Sequence, residues 1–275
     1  MTTTVPALVV VLAHNEERRI AACLKSLLGL QVHVVVNGSS DRTAEIARAF
    51  PVTVHEWAEP GKARSWNRIV LDSPGLDAPA WVFVDGDAVV LPGSIEALLA
   101  ALADPEVNAA AGLPANGRGM KHYRSEAIRT HGMFGDLYAL SGSFVARLRD
   151  SGLRLPEDLI GDDSLVGALA KTGLAAESDW DDARIAPCPD AGFLCEPIGL
   201  NIRAMRLQYR RMIAYSVRHF QNRIISAIMR STGPGSLPVR LAELYPEWLP
   251  RFAPRRDPRL WWFDREALIR MRAGS

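Results

Sequence analysis

Cysteine is scarce in this chain: three among 275 residues, at positions 23, 188 and 195. An odd, sparse set builds no disulfide framework and points to a reducing compartment. No Cys/His group has the spacing of a zinc site. Long apolar runs are missing too. The longest near the start, residues 5–13, is too short to span a bilayer and has no basic stretch before it, so a cytoplasmic protein is expected. Net charge is almost absent, +1 overall, and this balance predicts no nucleic-acid partner. There is no Gly-x-Gly-x-x-Gly turn after the first apolar run, which excludes a dinucleotide-binding dehydrogenase. No repeat or low-complexity tract occurs. With 48% hydrophobic and 23% charged residues, the composition is that of a globular chain holding one large domain, or one domain with an appendage.

What is present is an alternation. Residues 8–12, 32–36, 52–57 and 81–84 read as strands. The first shows no polar alternation, as a strand buried on both faces would. Helical patterns over 16–28, 41–50, 62–71 and 93–102 separate and follow them. Strand–helix alternation of this kind argues for right-handed βαβ units and a largely parallel sheet. In such sheets ligands sit beyond the carboxyl ends of the strands. Beyond residue 117 the pattern weakens. Residues 138–148 suggest one or two strands, 163–171 a short helix, and 201–230 one long helix or two. The six prolines from 234 to 258 suggest an extended wrap, and 260–271 a closing helix.

Polar residues gather at the strand ends. Ala80-Trp81-Val82-Phe83-Val84 leads into Asp85-Gly86-Asp87. Asp and Gly are common in turns that end strands. Two carboxylates flanking a glycine after a buried strand also suit a hard divalent cation carrying a phosphate. His14-Asn15-Glu16-Glu17 follows the first strand, with Asn15 as a candidate N-cap. Asn37-Gly38-Ser39-Ser40-Asp41-Arg42-Thr43 follows the second, with Ser40 or Asp41 as a cap. A helix start is also an anion site, so capping and ligand binding are compatible. Lys62 opens a helix, where the dipole disfavours a cation. It is either solvated or partnered by a phosphate or a carboxylate.

In combination these elements resemble the family 2 glycosyltransferases. The strand end at His14-Asn15-Glu16, the Asn37-Gly38-Ser39-Ser40-Asp41-Arg42-Thr43 element, Gly61-Lys62-Ala63-Arg64-Ser65-Trp66-Asn67 and the Asp-x-Asp signature at Asp85-Gly86-Asp87 carry the likeness. It covers residues 5–230 and is strongest up to Val90. It implies an α/β GT-A fold, with a mostly parallel central sheet flanked by helices and a helical, basic C-terminal region. Residues 1–200 would be the catalytic domain, with 1–117 binding nucleotide-sugar and 118–200 serving acceptor and catalysis. Residues 201–275 would be a helical extension packed on it.

The resemblance further implies transfer of a sugar from a nucleotide-diphosphate donor to an acceptor hydroxyl, with inversion. A UDP-sugar ranks first as donor and a GDP-sugar second. The acceptor would be a saccharide, a lipid-linked saccharide or a small molecule. Ala13, His14, Asn15, Glu16, Asn37, Asp41, Lys62, Asn67, Asp85 and Gly86 would line the donor site. Asp87, with Asp85, would hold Mg2+ or Mn2+. Gly161-Asp162-Asp163 looks like the family's Glu-Asp element, with Asp163 as base and Asp162 replacing Glu. An N-cap reading competes, as does the nearby pair Glu157-Asp158. Ser141 and Gly142 resemble the glycine-bearing stretch under the donor sugar. Gln208-Tyr209-Arg210-Arg211-Met212 echoes an element of processive relatives, although Met212 stands in place of Trp. Arg210 or Arg211 would then neutralise the diphosphate. Asn37 stands where the family usually has Asp, which leaves the base preference open. An inactive scaffold and a sugar-phosphate nucleotidyltransferase are the alternatives. The latter is disfavoured because no glycine-rich loop follows the first strand.

Residues 201–231 contain seven arginines (203, 206, 210, 211, 218, 223, 230) and no Asp or Glu. This stretch is either a core helix whose arginines pair with distant acids, or a basic surface meeting anionic lipid peripherally at the inner face of a membrane.

Overall fold

The computed structural model describes residues 7–196 and 202–274, with 202–204 by backbone only. Asn201 and the side chain of Arg203 therefore lie outside the described residues.

Strand β1 (Ala7–Ala13) has no charged residue and is buried along almost its whole length. Its side chains alternate between two cores. Leu8, Val10 and Leu12 join Trp66, Trp81 and Phe83, while Val9, Val11 and Ala13 join Ile20, Leu24 and Val34. A strand sandwiched in this way gains from apolar residues at every position.

Around it, β2 (Gln31–Asn37), β3 (Thr53–Trp57) and β4 (Ala80–Asp85) run parallel in the order β3-β2-β1-β4. Helices α1 (Ile20–Lys25), α2 (Thr43–Arg48) and α3 (Lys62–Val70) connect them. Each element falls where the apolar periodicity places it. The first two helices are shorter than expected, because turns replace their outer residues.

The sheet continues through four more strands to eight, in the order β7-β6-β8-β5 beyond β4. These are β5 (Ala88–Val90), β6 (Ala109–Pro114), β7 (Leu137–Ser141) and β8 (Ile185–Cys195). Strand β7 is antiparallel to both β4 and β6, so the sheet is mixed in this half. Helices α4 (Ser94–Ala101) and α5 (Met120–Thr130) precede β7.

One expectation is narrowed and one corrected. Residues 138–148 supply a single strand, because after Ser141 the chain turns into α6 (Gly142–Ser151), whose first turn is capped by the Ser141 hydroxyl accepting from Phe144 N–H. The proline-rich stretch is not extended. It folds into short helical turns, Pro234–Ser236, Leu241–Leu244, α9 (Tyr245–Trp248, counted after α7 and α8 below) and Leu249–Arg251. Three of the four place a proline at the first positions, where its missing N–H breaks no helical bond.

The remaining helices are α7 (Asp162–Thr172), the 30-residue α8 (Ile202–Ser231) and α10 (Pro258–Ala273). Helix α8 buries Ile213, Phe220, Ile224 and Met229 in the same core as Trp66 and Phe83.

Candidate active site

Parallel register levels the strand ends. Leu12 pairs with Asp85 on one side and Val35 on the other, so Ala13, Asn37 and Asp85 leave the sheet at one edge. Gly86 continues β4 across the end of β1, its N–H donating to Leu12 O at 2.9 Å. A Cβ there would stand 2.9 Å from the Ala13 Cβ and 3.3 Å from Glu16 Cγ, so only glycine permits this approach.

Strand β7 runs the other way, and its first residues meet the end of β4. The Asp136 carbonyl accepts from Asp85 N–H at 3.2 Å. Ligand atoms of Asp85, Asp87 and Asp136 lie within 4.8 Å of one another. Asp136 escapes sequence reasoning because it precedes its strand, and only antiparallel pairing brings it to this edge. Burial, with Asp136 and Asp87 adding like charge, raises Asp85 well above the usual carboxylate range. Burial and Asp87 likewise raise Asp136, although Cys195 donates to its Oδ1 at 3.1 Å. Burial and mutual repulsion disfavour the ionised forms of these carboxylates, an imbalance that a bound cation would reverse. Three hard oxygen donors are a suitable set for Mg2+ or Mn2+.

Among the described residues, three cations border the cluster. Arg19 Nη1 is 3.2 Å and Arg211 Nη2 3.8 Å from Asp87 Oδ2. Lys62 Nζ is 2.6 Å from Asp85 Oδ1 and 3.6 Å from Asp162 Oδ1. The early position of Lys62 in its helix is thus explained by carboxylates. Burial alone would lower its basicity, but Asp162, Asp85 and Asp163 together raise it well above the usual lysine range. Its side chain nonetheless keeps 31% of its surface accessible, because it lines the cleft.

Beyond Lys62 stand the two residues that start α7. Asp162 is 1% exposed, and its Oδ2 is buried without a hydrogen-bond partner among the described residues. Burial raises it above the ordinary range, Lys62 opposing and Asp163 reinforcing. Asp163 Oδ2 accepts from Arg218 Nη2 at 2.8 Å, and the same guanidinium donates to the Ser164 hydroxyl. Arg218 lies across Gly161, where a Cβ would be 2.3 Å from its Nε at a φ of 84°. Neither aspartate side chain caps its helix. Glu157 and Asp158 have other partners: Arg64 Nε donates to Glu157 at 3.0 Å, and the Leu241 and Ala242 N–H groups donate to Asp158 at 2.7 and 2.9 Å.

The loops after β1 and β2 brace each other. His14 Nδ1 lies 2.7 Å from Asn37 O, the Asn15 side chain accepts from Ser40 N–H, and Glu16 N–H donates to the Thr43 hydroxyl at 2.7 Å. Asp41 accepts from Glu17 and Thr43 N–H groups. Burial works against its ionised form, yet these bonds hold it below the usual carboxylate value. Burial and the Asp87 charge push Glu16 up to about 7, despite Arg19 Nη2 at 2.5 Å.

Several expected site residues are engaged elsewhere. The Asn37 amide is committed to backbone, donating to Ala13 O at 3.1 Å and accepting from Gly61 N–H at 3.3 Å. A carboxylate could not donate the first bond, which accounts for Asn at this position. Asn67 is 2% exposed and exchanges both amide bonds with Leu155 backbone, so it is a structural strap and not a cleft residue. Ser141 pairs with Ala80, at the opposite end of β4 from Asp85, and a Cβ on Gly142 would meet Ala78 O at 2.4 Å. These two residues lie at the wrong edge of the sheet for the carboxylate cluster, because β7 runs antiparallel. Arg210 is exposed, and only Arg211 of the pair reaches the cluster.

Residues 8–152, more than half of the chain, match the sequence model for glycosyl transferase family 2. No curated protein matches the sequence. Among solved structures, a mannosyltransferase from Pyrobaculum calidifontis in complex with GDP-Man and Mn2+ is similar over 99% of this chain and 87% of its own. The two share 21% identity with a TM-score of 0.63. Glucosyl-3-phosphoglycerate synthase from Mycobacterium tuberculosis, with Mn2+, UDP and phosphoglyceric acid, is similar over 78% of this chain and 77% of its own, at 18% identity and TM-score 0.53. Its complex with Mn2+, UDP-glucose and phosphoglyceric acid gives 17% identity and 0.54 over 78% and 79%. These likenesses show the GT-A fold. Among the described residues no helix is long and apolar enough to cross a membrane.

Proposed function

Because the chain belongs to glycosyl transferase family 2, we propose that it moves a sugar from a nucleotide-diphosphate donor to an acceptor hydroxyl with inversion at the anomeric carbon. The observation that carries this reading is the convergence of Asp85, Asp87 and Asp136 at one sheet edge, with Lys62 linking them to Asp162, the neighbour of Asp163. A divalent cation, Mg2+ or Mn2+, on the three carboxylates would supply positive charge to the departing diphosphate.

The chain's own residues do the rest. His14, Asn15, Glu16 and Asp41 form the wall toward the nucleoside. Arg211 adds a positive charge beside Asp87. Arg218 fixes one oxygen of Asp163, leaving Oδ1 to take the proton from the acceptor hydroxyl. The acceptor oxygen bonds to the anomeric carbon as the bond from that carbon to phosphate oxygen breaks. The electron pair leaves with the nucleoside diphosphate. One displacement with a single base accounts for inversion. Asp162 holds Lys62 in place between the two groups of carboxylates.

A UDP-sugar is the first candidate donor and a GDP-sugar the second. Of the similar solved structures, the mannosyltransferase carries GDP-Man and the glucosyl-3-phosphoglycerate synthase UDP-glucose, so both donors belong in a test. The acceptor is a saccharide, a lipid-linked saccharide or a small molecule. The experiment is incubation with a panel of nucleotide-sugars and Mn2+, followed by detection of released nucleoside diphosphate. Turnover of one donor that disappears in Asp87→Ala supports the reading. Absence of binding to every donor would favour a scaffold.

A further inference from the structure

The arginines of α8 divide into two groups. Arg218 pairs with Asp163, Arg230 with Glu177, and Arg211 reaches Asp87. Arg223 stacks on Phe252 at 4.6 Å. Arg206 and Arg210 are exposed and have no carboxylate partner among the described residues. They lie on the first turns of the helix, where its apolar stripe leaves the protein body. Ile213, Ser216, Phe220 and Ile224 carry that stripe in the core, and Tyr209 and Met205 continue it at the same spacing, 40% and 65% exposed.

Helix α10 lies against this segment and is apolar on the side turned outward. Asp264, Ala267, Leu268 and Met271 form its buried face. Its exposed side carries Trp261, Trp262, Arg265 and Ile269, with Trp261 45%, Trp262 48% and Ile269 47% exposed. Trp262 Nε1 donates to the Tyr209 hydroxyl at 3.3 Å, so the two faces are continuous. The Arg265 guanidinium lies within 6 Å of both indole rings, at 5.9 and 5.8 Å.

We propose that this α8–α10 face lies on an anionic lipid surface. Indoles and a tyrosine with exposed polar edges suit the boundary between headgroup and acyl chain, where one side is apolar and the other wet. Unpaired guanidinium groups beside them match phosphate headgroups and hold them bidentately. No Asp or Glu occurs on α8, and α10 carries two acids, the buried Asp264 held by Arg255 and the half-buried Glu266, against the arginines at 259, 265, 270 and 272. Charge therefore selects an anionic layer over a neutral one. Arg211, next to the exposed Arg210, reaches Asp87, so the lipid face adjoins the carboxylate cluster. An acceptor anchored in that layer would be presented at the sheet edge.

The test is cosedimentation of the full chain with vesicles of phosphatidylcholine mixed with phosphatidylglycerol, and with vesicles of phosphatidylcholine alone. No donor is added, so the result stands apart from glycosyl transfer. Binding to the mixed vesicles only, weakening with salt, is expected. Trp261→Ser with Trp262→Ser removes it. Arg206→Glu with Arg265→Glu weakens it by at least about fivefold for each arginine lost. Unchanged melting temperatures show that both variants fold. Failure to pellet with mixed vesicles at low salt overturns the proposal, as does equal binding by the tryptophan variant. A dimer in the absence of vesicles that the tryptophan variant dissociates also overturns it, in favour of a second copy of the chain.

Discussion

Lys62 Nζ lies 2.6 Å from Asp85 Oδ1, so one ammonium ties the edge of β4 to the first turn of α7 through Asp162. Without it, Asp85 and Asp162, both already raised above their ordinary values, would face each other uncompensated. Lys62→Met is therefore expected to lower kcat about 100-fold, the scale of losing a positioned charge in a water-poor site. The acid limb of the pH–rate profile should move upward, because Asp85 and Asp162 lose the positive charge that favours their ionised forms. A profile that keeps its shape while only KM rises would show that Lys62 merely binds substrate.

Asp136 is the carboxylate that antiparallel pairing adds to the Asp-x-Asp pair. If all three hold the cation, Asp136→Asn should weaken Mn2+ binding at least about tenfold by titration calorimetry, and Asp87→Ala should abolish it. Affinity should also fall as pH falls. Asp85 and Asp136 hold protons above the ordinary carboxylate range, and each proton competes with the metal. Chelation should stop turnover, and added Mn2+ should restore it. Wild-type affinity in Asp136→Asn would restrict the site to Asp85 and Asp87.

Two acidic pairs lie near one another in the sequence, and the structure separates their duties. Asp158 receives the Leu241 and Ala242 N–H groups and so anchors the proline-rich tail. Asp163 faces Arg218 at the cleft. Asp163→Asn should lose a factor of about 100 to 10,000 in kcat while donor binding, read by fluorescence or calorimetry, persists. Asp158→Asn should lower the melting temperature and leave kcat of the folded fraction near that of wild type. Exchange of these two outcomes would move the base to Asp158.

The donor half was readable because its signals are local. Each parallel strand is an unbroken apolar run, and the polar residues that follow it reach one edge without needing knowledge of any distant partner. Asp85-Gly86-Asp87 and Lys62 belong to this class. The second half depends on contacts between residues far apart in sequence. Asp136 reaches the cluster only because β7 reverses direction, and the same reversal carries Ser141 and Gly142 away from it. Asn67 matches a motif letter, yet its amide is consumed by Leu155, 88 residues later. Strand β8 was hidden because Pro187, Pro189 and Asp190 interrupt its apolar run. Helix α5 was hidden because it is polar on nearly every face, and only Ala127 is buried.

Asp264 on α10 has no exposed surface and is gripped by Arg255, whose Nη2 and Nε donate at 2.6 and 2.8 Å while its backbone N–H adds a third bond. Burial opposes the charged form, but these bonds and one from Ser216 lower Asp264 to about 2. In the unfolded chain the group titrates near 3.8. The folded form thus binds its proton less readily than the unfolded one. The resulting stabilisation is complete above pH 3.8 and disappears as pH falls toward 2, and its size is about 2 kcal/mol. Asp264→Asn keeps the shape and removes the charge. Its urea midpoint should be clearly lower than wild type at pH 7, and the gap should close on acidification to pH 2. Other carboxylates titrate over the same range, but they do so in both proteins, so the difference between the two curves isolates this ion pair. A gap that stays constant from pH 7 to pH 2 would mean that Asp264 acts by packing α10 against α8, with its charge irrelevant.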